Sequence, residues 1–179
     1  MHRGNAVVGI VALMLSTGAP ACWTQAGERY QISPHLLHAI AKCESALRPG
    51  ATNRTHLART GTYDIGLMQI NSSHLPALRK YGIGEQELHE SCTNLNVGAW
   101  ILAGKIRQHG LSWEAVGAYN AACTRLKGRQ CQVARSKYAW CVYRNLPAEF
   151  RRTHREAQPR TGAAAAAVAM PILSASVTP

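Results

Sequence analysis

The chain has 179 residues, which is long enough for one domain with a substantial hydrophobic core. Its 20 Lys and Arg outnumber its 9 Asp and Glu, giving a formal net charge of +11 and an attraction to polyanions. The basic residues are spread along the chain, without zinc-finger spacing or an RNA-binding aromatic motif. The composition therefore does not favour a nucleic-acid partner, and none is expected.

The N-terminus has the pattern of an export signal. Met1-His2-Arg3 is positively charged, residues 6–15 form an apolar run, and Ala19-Pro20-Ala21 supplies small residues for a signal-peptidase site. We expect residues 1–21 to be removed, so that the mature chain begins at Cys22 in the periplasm. The apolar run is too short for a permanent membrane span. Lipidation of Cys22 is the less favoured alternative, because Ala19 stands where a lipobox normally has Leu.

The six cysteines fit an oxidising compartment. An even number in an exported chain predicts three disulfide bonds, although about 15 pairings are open. The pairs that we hypothesise are Cys22–Cys92, Cys43–Cys141 and Cys123–Cys131. Metal binding is disfavoured because the sequence contains neither a CxxC pair nor an HExxH motif, so no metal or other cofactor is expected.

After an amphipathic segment over residues 22–32, the first predicted helix carries a glutamate on its apolar face. Ser33 is a helix-capping residue type, and apolar residues follow at helical spacing, at Leu36, Leu37 and Ile40. Glu44 falls on the same stripe. A carboxyl group shielded from water has a raised pKa and can act as a general acid near neutral pH. The alternative is that the helix ends before Glu44 and leaves its side chain in solvent.

Residues 51–63 are polar and predict a loop, and the next stretch is apolar. Residues 64–71 read Asp-Ile-Gly-Leu-Met-Gln-Ile-Asn, which predicts a short buried strand or hairpin. Asp64 has two interpretations. It holds a turn through its side chain, which we favour, or it partners Glu44 as the second carboxylate of a glycoside hydrolase.

Four further helices are predicted before the chain changes character. They cover residues 75–81, a buried helix over 94–109, a helix capped by Ser112, and a last helix over 132–145. The apolar face expected for the second of these contains Val97, Trp100, Ile101 and Gly104. Residues 148–179 are rich in Arg and Ala and offer nothing large to bury, so we expect a disordered or weakly helical tail.

Four motifs resemble those of a known family. In chain order they are Glu44-Ser45, Gly66-Leu67-Met68-Gln69-Ile70-Asn71, Ala118-Tyr119-Asn120 and the late Tyr138. This order resembles that of soluble lytic transglycosylases, and most closely the small exported enzymes of conjugation, pilus, and type III and type IV secretion systems. The resemblance covers about residues 22–146, and its specificity lies in the ordered set of motifs.

The resemblance implies a mainly α, lysozyme-like fold over residues 22–147 with a small β-hairpin. It implies cleavage of the β-1,4 bond between N-acetylmuramic acid and N-acetylglucosamine in peptidoglycan, whose stem peptides carry carboxylates. Glu44 would protonate the glycosidic oxygen and then deprotonate the C6 hydroxyl of the muramic acid, leaving a 1,6-anhydro end. The substrate-binding residues implied are Ser45, Met68, Gln69, Asn71, Tyr119, Asn120 and Tyr138.

The sequence departs from the family pattern at two places and leaves two other functions open. Ala121-Ala122-Cys123 stands where relatives commonly have a glycine, and Cys43 directly precedes the acid. A lysozyme-type hydrolase would use Asp64 as its second group. A non-catalytic wall-binding adaptor would dock components of a secretion or conjugation apparatus, through the Arg-rich tail. We expect a monomer in either case.

Overall fold

The computed structural model describes residues 19–151, which form helices and one small three-stranded sheet. The helices are α1 (Ala19–Tyr30), α2 (Pro34–Ser45), α3 (Leu57–Thr60), α4 (Leu75–Leu78), α5 (Ser91–His109), α6 (Trp113–Asn120) and α7 (Gly128–Asn145). The strands are β1 (Thr52–Asn53), β2 (Asp64–Ile65) and β3 (Ile70–Asn71). The expected mainly α fold with a small β element is confirmed. Most of the predicted signal peptide, residues 1–18, and the tail beyond residue 151 lie outside the described residues.

Helix α2 extends as far as the glutamate that the sequence placed on its apolar stripe. Leu37 and Ile40 on this stripe are fully buried. The helix ends one residue beyond Glu44, where Ala46 adopts a left-handed conformation and closes the last turn. Ser33 precedes the helix as predicted, but its side chain makes no capping hydrogen bond.

Helix α5 lies at the centre of the fold and packs against α1, α6 and strand β3. Because neighbours cover it on several sides, its buried residues occupy more than one stripe: Asn94, Leu95, Val97, Gly98, Ala99, Leu102 and Ala103. The prediction that Trp100 belongs to the buried face is wrong, since this residue is 40% exposed. The helix also begins three residues earlier than predicted, at Ser91.

The sheet is antiparallel in the order β1-β2-β3 and carries the apolar stretch of residues 64–71. Strands β2 and β3 form the predicted hairpin, with Asp64 opposite Asn71 and Ile65 opposite Ile70. Strand β1 was not predicted, and it adds Asn53 opposite Asp64. The register thus places three polar side chains in one row across the sheet.

The turn between β2 and β3 is fastened to α5 by a buried asparagine. The Asn94 side chain is fully buried, accepts a hydrogen bond from the Met68 amide at 2.7 Å, and donates to the carbonyls of Ile65 and Leu88. Gly66, at φ 78°, passes so close that a Cβ atom would lie 2.2 Å from the Asn94 amide nitrogen. Only glycine fits at this position.

Three disulfide bonds join the helices and the loops in the hypothesised pairs, Cys22–Cys92, Cys43–Cys141 and Cys123–Cys131. Helix α7 begins at Gly128, four residues before its predicted start. Residues 148–151 are helical, and the Phe150 ring packs 4.5 Å from the His35 ring, so the packed region extends past the predicted boundary at residue 147. Within residues 19–151, no helix has the length and hydrophobicity to cross a bilayer.

Candidate active site

A groove of about 750 Å³ lies between the sheet and the helices α5 and α6. The end of α2, strands β1 to β3 and the loop after α6 all contribute to its walls. Residues that line it and that the sequence analysis singled out are Glu44, Asp64, Gln69, Asn71, Tyr119 and Asn120.

Glu44 lies in this groove with a partner on α7. The Tyr138 hydroxyl donates a hydrogen bond of 2.5 Å to its Oε1. Burial raises the pKa of Glu44 to about 7, with a further upward contribution from the charge of Asp64, whereas the Tyr138 hydrogen bond acts in the opposite direction. A carboxyl group with this pKa exists in both protonation states near neutral pH, so it can donate a proton and later accept one.

Tyr119 supports the wall of the groove beside Tyr138. The two rings stack with centroids 6.5 Å apart, and the Tyr119 hydroxyl donates to the Met68 carbonyl at 2.9 Å. Burial and the nearby Glu44 raise the pKa of both tyrosines well above 10, so both hydroxyls keep their protons. Tyr138 is therefore a permanent donor to Glu44, and Tyr119 fixes the backbone of the hairpin turn.

Asp64 is held between two side chains at the same groove. Its Oδ2 lies 2.7 Å from Nε2 of His56, and its Oδ1 accepts a hydrogen bond from the Asn71 amide at 2.7 Å. Nδ1 of His56 contacts the Thr60 hydroxyl at 2.8 Å, which ties helix α3 to the sheet. Asp64 thus connects His56 to strand β3 instead of holding a turn, and it also lines the groove that contains Glu44.

Gln69 and Asn120 form polar parts of the groove wall. Gln69 adopts a left-handed conformation at φ 49° and donates its amide to the Gly66 carbonyl at 2.8 Å. This turn conformation lets Gln69 face the groove while the neighbouring Met68 is buried. Asn120 is exposed at the end of α6. The Gln69 amide nitrogen also donates to the Ala51 carbonyl at 3.3 Å, so Gln69 offers the groove its side-chain carbonyl oxygen, whereas Asn120 offers both groups of its amide.

Two of the residues that the sequence analysis assigned to substrate binding are buried. Ser45 is 3% exposed and donates to the Leu67 carbonyl at 2.7 Å, so its hydroxyl connects α2 to the hairpin. Met68 is fully buried against Gly98, where a Cβ would lie 2.8 Å from the methionine side chain. Neither side chain reaches the groove surface, because both fill the space beneath it.

Sequence reasoning missed two residues that organise the site. His56 was interpreted only as one histidine of a predicted loop, although it contacts Asp64 directly. Asn94 was taken as the start of a helix. Its position three and four residues before Val97 and Gly98, on a buried face, was a signal that a partner was required.

Among residues 19–151, no group of three His, Cys, Asp or Glu side chains is arranged to hold a metal ion.

The transglycosylase SLT domain model matches residues 21–139. Invasion protein IagB of Salmonella typhi is 43% identical over 141 residues, covering 78% of this chain and 86% of the relative. Protein IpgF of Shigella flexneri is 38% identical over 142 residues, covering 77% and 89%. The X polypeptide of Escherichia coli K12 is 43% identical over 127 residues, covering 70% and 72%.

A solved structure shows the same fold. It is an inactive mutant of the lytic transglycosylase Slt from Pseudomonas aeruginosa, with a TM-score of 0.54 and 21% identity. The similarity covers 73% of this chain and 23% of Slt, so the chain spans about a quarter of that larger protein.

Proposed function

The chain belongs to the family of transglycosylase SLT domains, which are peptidoglycan lytic transglycosylases, and from this premise we propose a specific reaction. The chain cleaves the β-1,4 bond between N-acetylmuramic acid and N-acetylglucosamine without water and leaves a 1,6-anhydromuramic end. The observation that carries the proposal is a single glutamate, Glu44, whose pKa is raised to about 7 by burial in an open groove.

In the first step, protonated Glu44 donates its proton to the glycosidic oxygen, and the bond from that oxygen to C1 of the muramic acid breaks. A carboxyl group with the ordinary pKa of 4.5 would be ionised at neutral pH and unable to do this. The raised pKa keeps a large fraction of Glu44 protonated there. The groove wall meanwhile holds the sugar through Gln69 and Asn120.

In the second step, the Glu44 carboxylate takes the proton of the C6 hydroxyl of the same muramic acid. The C6 oxygen forms the new bond to C1, which closes the anhydro ring and returns Glu44 to its protonated state. The Tyr138 hydroxyl donates to Oε1 and so stabilises the carboxylate that exists between the two steps. One carboxyl group is sufficient for the whole cycle.

The setting of this reaction is the cell wall. Peptidoglycan lies outside the cytoplasm, which supports export with removal of residues 1–21 and a periplasmic location. The relative from Salmonella typhi is named an invasion protein, which supports a role in opening the wall locally for a secretion, conjugation or pilus apparatus.

The test is the mass of the products released from purified peptidoglycan sacculi. We expect muropeptides one water lighter than those made by a hydrolase, and no products from the Glu44→Gln variant. Glu90 is an exposed glutamate outside the groove, so Glu90→Gln is the matched control and retains full activity. Loss of activity in both variants, or activity in Glu44→Gln, would contradict the proposal.

A second candidate is hydrolysis, which one observation favours. Asp64 lines the same groove and raises the pKa of Glu44 electrostatically, as the second carboxylate of a hydrolase would. Digestion in ¹⁸O-labelled water separates the two reactions. Hydrolysis places the label at the reducing end, whereas the proposed transfer leaves the products unlabelled.

A further inference from the structure

Three cationic side chains line the groove and have no carboxylate partner among residues 19–151. They are Arg59 on α3, Lys105 on α5 and Arg125 in the loop after α6, and we call them the groove cations. Within residues 19–151, the ion pairs join His56 to Asp64 and Arg135 to Glu114, so none of them satisfies a groove cation. Unpaired positive charge in a concave site attracts an anionic ligand.

One of the groove cations, Arg125, is attached to the helix that carries another, Arg59. The Arg125 guanidinium donates to the Arg59 carbonyl at 3.3 Å, which joins the loop after α6 to helix α3. The Cys123–Cys131 disulfide anchors the same loop to α7. The Arg125 guanidinium is therefore held against α3, beside the groove that both arginines line.

The third groove cation lies beside His74 on another part of the wall. Burial lowers the pKa of His74, and the charge of Lys105 lowers it further. At neutral pH His74 is thus predominantly uncharged, and Lys105 supplies the positive charge in that region. The groove contains two acidic side chains, Glu44 and Asp64, and Asp64 already has His56 as its partner.

The substrate of the proposed reaction carries its own negative charges close to the reacting bond. The stem peptide is attached to O3 of the muramic acid whose C1 is attacked, only two ring positions away. The stem peptide, with its free carboxylates, must therefore extend from the sugar at a point of the groove near Glu44. We propose that the groove cations bind the carboxylates of the stem peptide, so that the enzyme selects peptide-bearing glycan. This proposal rests on the proposed function and names the part of the substrate that determines specificity.

The experiment compares intact sacculi with sacculi whose peptide carboxylates have been amidated with a carbodiimide and ammonium. The amidated material retains the stem peptide but not its charge. The groove variant combines Arg59→Gln, Lys105→Gln and Arg125→Gln. The control variant combines Lys42→Gln, Arg107→Gln and Arg144→Gln, which removes the same number of charges from exposed positions outside the groove.

We expect the wild-type chain to release products from intact sacculi about tenfold faster than from amidated sacculi at subsaturating substrate, since each exposed charge pair contributes about two- to threefold. The control variant keeps this ratio, and the groove variant brings it close to one. High salt reduces the ratio for the wild-type chain, because it screens exposed charges.

Two results would overturn the inference. One is a wild-type chain that releases products from intact and amidated sacculi at nearly equal rates. The other is an equal decrease of this rate ratio in both triple variants, which would indicate a general attraction of positive charge to the wall. Failure of the proposed function looks different, because the wild-type chain would then give no anhydro products from either material.

Discussion

The Tyr138 hydroxyl donates a hydrogen bond of 2.5 Å to Oε1 of Glu44, and the two residues are 94 positions apart in the chain. Helix α2 supplies the acid and helix α7 supplies its donor. The protonation of Glu44 therefore depends on the packing of two distant helices, since burial raises its pKa while the tyrosine lowers it.

Tyr138→Phe removes a donor that favours the charged form of Glu44. We expect the pKa of Glu44 to rise further above 7 and the falling, high-pH limb of the rate profile to move upward by about one unit. The measurement is kcat/KM against pH. Tyr143→Phe on the same helix is the control, because Tyr143 donates to the Arg151 carbonyl outside the groove. The same shift in both variants would show that the contact with Glu44 is not its cause.

Glu44→Gln should change stability in a pH-dependent way. The pKa of Glu44 is about 7 in the folded chain and 4.5 in the unfolded chain. The free energy of unfolding therefore has its full value below pH 4.5, falls as pH rises from 4.5 to 7, and stays at the lower value above pH 7. The loss amounts to about 3 kcal/mol in the free energy of unfolding. Glutamine carries no charge, so the variant gains about this much relative to the wild-type chain between pH 4 and pH 8.

Urea unfolding of both chains at pH 4 and pH 8 measures this difference. An equal stability difference at the two pH values would mean that the Glu44 carboxyl is not shielded from water in solution.

Asn94→Ala should destabilise the fold and reduce activity together. The substitution leaves the Met68 amide and the carbonyls of Ile65 and Leu88 without their buried partner. We expect a loss of about 3 kcal/mol or more in the free energy of unfolding, and weaker activity because the turn that carries Gln69 loosens.

Asn96→Ala is the matched control on the same helix. Its amide donates only to the Cys92 carbonyl, and its Oδ1 has no partner among the described residues, so we expect a loss below about 1 kcal/mol. Urea unfolding measures both variants. Equal losses would contradict the assignment of Asn94 as the fastening of the hairpin turn.

The Cys43–Cys141 bond should affect catalysis more than the Cys22–Cys92 bond. Each bond closes a long loop, of 98 and 70 residues, so replacing either pair with alanine should cost about 4 to 5 kcal/mol in the chain-entropy model. Cys43 precedes Glu44, and Cys141 lies one helical turn after Tyr138.

Only loss of the Cys43–Cys141 bond frees the acid and its donor to move apart. Specific activity, measured at a temperature where both double variants are folded, should therefore fall mainly in that variant. Equal specific activities would show that helix packing alone holds the two residues together.

The periodicity of apolar residues predicted which face of a helix a side chain occupies. The spacing of Leu37, Ile40 and Glu44 placed the carboxyl on the inward face of α2, and the structure confirms this orientation. The same reasoning was wrong for Trp100, because periodicity does not tell how many neighbours surround a central helix. The order of the motifs, through the family resemblance, identified Glu44, Tyr119 and Tyr138 as candidate site residues.

The remaining site features depend on contacts between distant segments, which no local pattern encodes. His56 meets Asp64 because helix α3 folds back on the sheet, and Asn94 meets the hairpin turn across 26 residues. Ser45 and Met68 were assigned to substrate because they belong to the motifs. Both residues are buried, and their hydrogen bonds join the hairpin turn that carries Gln69 to α2 and α6.

The bond between Cys43 and Cys141 links the end of α2 to α7, 98 residues further along the chain. A nascent polypeptide lacks the second cysteine until nearly the whole domain has been made, and a reducing cytosol keeps both thiols free. The proposed export would carry both thiols to an oxidising compartment, so this bond would form only after translocation. The cross-link that steadies Glu44 against Tyr138 would then be made on the side of the membrane where the polymer lies.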